Sequence, residues 1–218
     1  MNKIKLIFVG EGAVGKTSLI SQYVDKKFNE EYVMTVGRDK ATKDLEINGK
    51  AIKLEIWDTP GQEKFNQVNK IFMKNTKIAL IVYSITDKQS FERLNKWIEM
   101  VKDINKNENV TIGIVANKSD LFESAEVTKE EGEIFAKEKN ILFFETSAKD
   151  YKSIEKAFIG ICTSHLEKNP NNENPVPPDN DNDVKPLEQI NEKELENITL
   201  EKDNIDDSSS KCTKCTII

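Results

Sequence analysis

Lys5-Leu6-Ile7-Phe8-Val9-Gly10-Glu11-Gly12-Ala13-Val14-Gly15-Lys16-Thr17-Ser18-Leu19-Ile20 runs from an apolar stretch through a glycine-rich segment into a second apolar one. The order reads as buried strand, tight loop and helix, the opening of a βαβ unit. Gly10 to Thr17 fits the pattern GxxxxGK[ST], with a strand before it and a helix after it as that pattern requires. Glycines let such a loop wrap with its backbone N–H groups pointing inward, and the helix N-terminus adds positive potential. Lys16 can then reach the β- and γ-phosphates of a nucleotide, and the Thr17 hydroxyl can ligate Mg²⁺. Gly12, Ala13, Val14, Gly15, Lys16, Thr17 and Ser18 are therefore the candidate phosphate-binding residues. The loop specifies a nucleoside triphosphate but not its base.

Downstream of the loop, Lys43 to Ile47 and Ile52 to Trp57 flank Asn48-Gly49, a strong short hairpin signal, so an antiparallel ribbon is expected there. Continuous apolar runs at Ile78 to Tyr83, Val110 to Ala116 and Ile141 to Phe144 read as parallel strands covered on both faces. Between them, Phe91, Leu94, Ile98 and Val101 recur at steps of three and four, marking one buried helix face. Thr128 with Glu131 predicts a capping box, and Ile154, Phe158 and Ile161 line a last helix. The expected architecture is α/β, of the phosphate-loop NTPase type. It has a six-stranded, mostly parallel sheet with one antiparallel edge strand and helices on both faces.

Composition suits one such domain: 218 residues, 37% hydrophobic and 32% charged. A formal net charge of −6 gives no basic footprint for nucleic acid. The apolar run before Gly10 is too short for a secretory signal or a membrane span, and no glycine follows Met1 as N-myristoylation needs. The texture changes after Lys168, at Asn169-Pro170-Asn171-Asn172 and Pro175-Val176-Pro177-Pro178. From Asn171 to Ser210 there are twelve Asp plus Glu against three Lys, a net 3 − 12 = −9, which predicts a self-repelling, disordered linker. Residues 1–168 are thus expected to form the globular domain, 169–211 the acidic linker and 212–218 a tail. Cys212 and Cys215 form a CxxC, yet no second closely spaced pair completes a zinc site.

The base is read further along the chain. Asn117-Lys118-Ser119-Asp120 follows a strand at the carboxyl edge where open α/β sheets bind ligands. The Asp120 carboxylate can accept from N1–H and the exocyclic amine of guanine, a pair of donors adenine does not present. Glu145-Thr146-Ser147-Ala148-Lys149 follows the next strand and offers a backbone N–H near Ala148 to the guanine O6.

With these motifs in this order, residues 3–167 resemble the Ras-superfamily GTPases. The resemblance implies that Asp58-Thr59-Pro60-Gly61-Gln62-Glu63 senses the γ-phosphate. Asp58 would hold Mg²⁺ through a water, Gly61 would donate its N–H to the γ-phosphate, and Gln62 would orient the attacking water. It implies too that Thr35 closes over Mg²⁺ in the GTP state, that Phe28 packs edge-on to guanine, and that the stems of Lys118 and Lys149 sandwich the base. Asn117, Asp120, Ser147 and Ala148 complete the nucleotide set.

Lys53 to Thr59, Gly61 to Phe65 and Val82 to Thr86 resemble the Rab branch, with Trp57 and Phe72 as effector surface. Lys40 stands where Rabs usually carry phenylalanine, Phe72 and Met73 where they carry tyrosines, and Pro60 where the family has alanine. Proline at 60 restrains Thr59 and stiffens the segment carrying Gln62, which leaves a GTP-locked, hydrolysis-poor binding module as the alternative to a cycling switch.

Cys215-Thr216-Ile217-Ile218 fits a prenylation box, and Cys212 is a second lipidation candidate. The expectation is a monomeric, slow GTPase that binds GTP, GDP and Mg²⁺ and regulates vesicle traffic. Its partners would be an exchange factor, a GTPase-activating protein, effectors, and a prenyl-binding escort or dissociation inhibitor, in the cytosol and on the cytoplasmic face of an intracellular membrane.

Overall fold

The computed structural model describes residues 2–29, 40–59, 72–106 and 109–170. Among these residues six strands, β1 (Asn2–Val9), β2 (Lys40–Ile47), β3 (Lys50–Trp57), β4 (Ile78–Ser84), β5 (Thr111–Asn117) and β6 (Leu142–Glu145), form one sheet in the order β2-β3-β1-β4-β5-β6. Only β2 runs antiparallel to its neighbour; the pairs β3/β1, β1/β4, β4/β5 and β5/β6 are parallel. The helices are α1 (Lys16–Asp25), α2 (Lys88–Glu92), α3 (Leu94–Ile104), α4 (Lys129–Lys139) and α5 (Tyr151–Lys168), with a 3₁₀ turn at Ser119–Ser124. This is the expected architecture.

Strand burial follows from position. Every residue of the central strands β4 and β5 is buried, because helices cover both faces. At the edge, β2 alternates exposed and partly buried residues. Asn48 and Gly49, at φ of +52° and +75°, make the turn into β3, the left-handed pair a two-residue hairpin needs.

Alternate side chains of the sheet feed two cores. Ile4, Leu6, Phe8, Leu54, Leu80 and Val82 pack with Leu19 and Tyr23 of α1 and with Ile154, Phe158 and Ile161 of α5. On the other face Ile7, Val9, Ala79, Ile81 and Ile114 meet Leu94, Trp97, Ile98 and Val101 of α3. At about 1.5–3 kcal/mol for each buried large aliphatic side chain, these faces hold the loops at the strand ends in place. The Phe91-to-Val101 periodicity spans two helices rather than one, joined at Arg93 (φ −85°, ψ 0°), a bend slight enough to keep one buried stripe. The Thr128–Glu131 capping box is present: Thr128 Oγ1 accepts from Glu131 N at 3.2 Å and Glu131 Oε2 from Thr128 N at 2.7 Å.

Candidate functional site

The loop from Gly10 to Gly15 leaves the carboxyl end of β1, where the chain later returns on either side to form β3 and β4. Such a reversal opens a crevice at the strand ends. Two glycines are dictated by contact. A Cβ on Gly10 (φ +144°) would lie 2.2 Å from the Val82 carbonyl oxygen, and one on Gly15 (φ +95°) would lie 2.4 Å from Asn117 Nδ2. Helix α1 then starts at Lys16, so its free N–H groups face the loop.

Lys16 is 6% exposed, and its ammonium donates to the carbonyls of Gly10 (2.9 Å) and Glu11 (2.7 Å). Burial pushes it down to about 8, while the Asp58 and Glu11 carboxylates pull it back up. Thr17 Oγ1 donates to Asp58 Oδ2 at 2.5 Å, and Thr59 Oγ1 to Phe8 O at 2.6 Å, so the end of β3 is fastened beside the loop. A hydroxyl and a carboxylate side by side are hard oxygen donors and fit Mg²⁺, which takes few protein ligands and completes its shell with water and phosphate. Among the described residues no group of three or more His, Cys, Asp or Glu side chains forms a metal cage, and a magnesium site that relies on phosphate oxygens does not need one.

The base-reading candidates converge from β5, β6 and the loops after them. Asn117, 1% exposed, donates from Nδ2 to the Val14 carbonyl (2.8 Å) and accepts at Oδ1 from Thr146 Oγ1 (3.2 Å), joining the phosphate loop to both later motifs. Ser147 Oγ donates to Asp120 Oδ1 (2.6 Å), and Lys149 Nζ lies 3.7 Å from Asp120 Oδ2. Lys149 Nζ is also 5.7 Å from the centre of the Phe28 ring, which is 38% exposed. Lys118 takes the left-handed conformation (φ +65°) that turns the chain out of β5. Ala148 is buried and Lys149 N donates to Ser147 Oγ, tightening the same turn. Asp120 thus stands fixed but still open to solvent, its carboxylate held by a hydroxyl and an ammonium.

Thr35, Pro60, Gly61, Gln62, Cys212 and Cys215 lie outside the described residues. The reading of Trp57 and Phe72 as surface aromatics is corrected: they are 2% and 4% exposed. Trp57 packs into the α3-side core, and the ammoniums of Lys5 and Lys40 sit 4.5 and 5.0 Å from its ring centre. Lys40 also pairs with Glu55 at 3.2 Å, so the side chain presented at this edge is a lysine held over a buried indole.

Sequence reasoning missed Glu11, Arg93 and Trp97. Arg93 Nη1 donates to Glu11 Oε2 at 2.8 Å and Trp97 Nε1 to Glu11 Oε1 at 3.1 Å. The available signal was an arginine and a tryptophan four residues apart, at the start of α3 and one turn into it, opposite a lone carboxylate in the phosphate loop.

Fold and site together define a phosphate-loop nucleotide-binding protein. The Ras family model matches residues 5–167, and the chain belongs to that family. It is 40% identical over 169 residues to Ras-related protein Rab-10 of Diplobatis ommata, covering 78% of this chain and 84% of that one. It is 42% identical over 158 residues to Ras-related protein RabQ of Dictyostelium discoideum, covering 72% and 77% respectively. These relatives make it a Rab-like small GTPase.

Proposed function

We propose that the protein is a Rab-like switch that cycles between GDP and GTP and regulates intracellular membrane traffic. The observation that supports this best is the linkage of three motifs around one crevice. Asn117 ties the Val14 carbonyl of the phosphate loop to Thr146, and Ser147 ties the Asp120 carboxylate into the same corner. In this reading the loop from Gly12 to Ser18 holds the phosphates, Asp120 reads N1–H and the amine of guanine, and Phe28, Lys118 and Lys149 enclose the ring. Thr17, Thr35 and, through a water, Asp58 would hold Mg²⁺, which when bound neutralises charge on the β- and γ-phosphates. Thr35 and Gly61 would be ordered by the γ-phosphate and released after hydrolysis.

Family membership favours the cycling switch over a GTP-locked module. Gln62 is assigned to orient the attacking water. Single-turnover phosphate release tests this: wild type should hydrolyse GTP slowly and Pro60→Ala faster. Gln62→Leu should be about tenfold slower or worse, since misplacing a reacting group by about 1 Å can cost about 100-fold. No release from wild type, even with a matched activating protein, would overturn the cycle.

Guanine nucleotide, regulators and effectors are the partners the family implies; an exchange factor, an activating protein and a prenyl-binding escort or dissociation inhibitor are proposed for this chain. Among the described residues no helix is long and apolar enough to cross a membrane. Attachment is proposed through lipid on Cys215 and Cys212, because one prenyl chain anchors marginally and the net-negative linker is repelled by anionic lipid. In cell fractionation Cys215→Ser should move the protein to the soluble fraction and Cys212→Ser should do so in part. Unchanged membrane binding of Cys215→Ser would sink the anchor.

A further inference from the structure

We propose that Arg93 and Trp97 are positioning residues for phosphate binding, acting through the Glu11 side chain to hold the carbonyls that aim Lys16. The proposal rests on the reading of Lys16 as a phosphate ligand.

Glu11 is the second residue of the loop, and its side chain is only 12% exposed. A carboxylate so enclosed is costly unless donors meet it. Each oxygen has its own: Arg93 Nη1 at 2.8 Å and Trp97 Nε1 at 3.1 Å, four residues apart. Those donors stand on a firm base, because Trp97 is 1% exposed and Leu94, Ile98 and Val101 anchor α3 in the core. The main chain of the same residue meets the lysine: the Glu11 carbonyl accepts the shorter of the two Lys16 contacts, 2.7 Å. A continuous set of bonds therefore runs from α3 through Glu11 to the lysine ammonium.

The loop has a second tether, Asn117 Nδ2 to the Val14 carbonyl at 2.8 Å, which comes from β5 on the base side. The two tethers divide the loop. One end is set by the strand that carries the base motif, and the other by a helix that offers the nucleotide no motif of its own. Supporting contacts of this kind hold a ligand-binding group within the few tenths of an ångström that charge-assisted bonds require. Arg93, with 41% of its side chain exposed, reaches the outside of the molecule, so this tether is accessible where the Asn117 one is buried.

The test compares GDP with GMP, which lacks the β-phosphate that Lys16 would grip, by competition against a fluorescent GDP on the full-length chain. Arg93→Met and Trp97→Phe should each weaken GDP about tenfold, the scale of one charge-assisted hydrogen bond, while GMP stays within about twofold. Arg93→Lys should recover most of the loss. Adding Arg93→Met to Glu11→Gln should cost less than about twofold more, because both act on the same contact. Equal losses for GDP and GMP would mean general damage to the fold and would overturn the proposal, as would no loss for either. A wild type that held GDP no better than GMP would instead remove the Lys16 reading itself.

Discussion

Asp120→Asn is expected to lower GDP and GTP affinity by roughly 10²- to 10⁴-fold and to make xanthine nucleotides the preferred ligands. The estimate is two charge-assisted hydrogen bonds at about 1.5–3 kcal/mol each. Guanine presents two donors to the carboxylate. Xanthine keeps N1–H but has a carbonyl in place of the amine, so an amide, with one acceptor and one donor, matches it and a carboxylate does not. The surroundings allow the exchange. Ser147 Oγ, 2.6 Å from Asp120 Oδ1, can donate to an amide oxygen as it does to the carboxylate. Lys149, 3.7 Å from Oδ2, loses a partly exposed ion pair of little energetic weight. The variant should therefore fold as wild type does. Competition of GDP, XDP and ADP against a labelled nucleotide measures the outcome, and a variant that held GDP as tightly as wild type would show that Asp120 does not read the base.

Most of the framework was legible because the signals were redundant. The Asn48-Gly49 turn, the uniformly apolar β4 and β5 and the Thr128–Glu131 box each report a local rule that tertiary packing reinforces. The phosphate loop was equally plain, since Gly10 and Gly15 are excluded from carrying a side chain by contacts at about two-thirds of the usual van der Waals separation. Side-chain placement was less so. The resemblance to the Rab branch puts Trp57 on the surface, yet it packs in the core with Ile7 and Val9 of β1 and with Met73. Glu11 read as an arbitrary loop residue, since a carboxylate at a variable position has no pattern. Its meaning depends on Arg93 and Trp97, more than eighty residues away, brought opposite it by the β1–β4 pairing and the packing of α3.

Lys16→Met is expected to separate ligand affinity from stability. A lysine only 6% exposed is held there at a cost: lowering its value from 10.5 to about 8 corresponds to roughly 3 kcal/mol against the charged form. Because the folded-state value lies below the unfolded one, that cost is present in full at pH 7, where the folded chain still carries the charge. Methionine has a similar stem and no charge, so it relieves the desolvation. It also withdraws a donor from the Gly10 and Glu11 carbonyls, which returns some of the gain. The nucleotide-free variant should then melt no lower than nucleotide-free wild type. Nucleotide binding goes the other way: two of the three ammonium donors are on the Gly10 and Glu11 carbonyls, and losing the third, a charge-assisted bond to a phosphate oxygen, costs roughly 10- to 10²-fold in GDP affinity. GMP, with no β-phosphate, should be little affected. Thermal scans with and without GDP, run beside the competition assay, test both halves. A variant several degrees less stable without nucleotide would show that Lys16 is a structural cation satisfied by its two carbonyls. Unchanged GDP affinity would show that the ammonium is not aimed at phosphate.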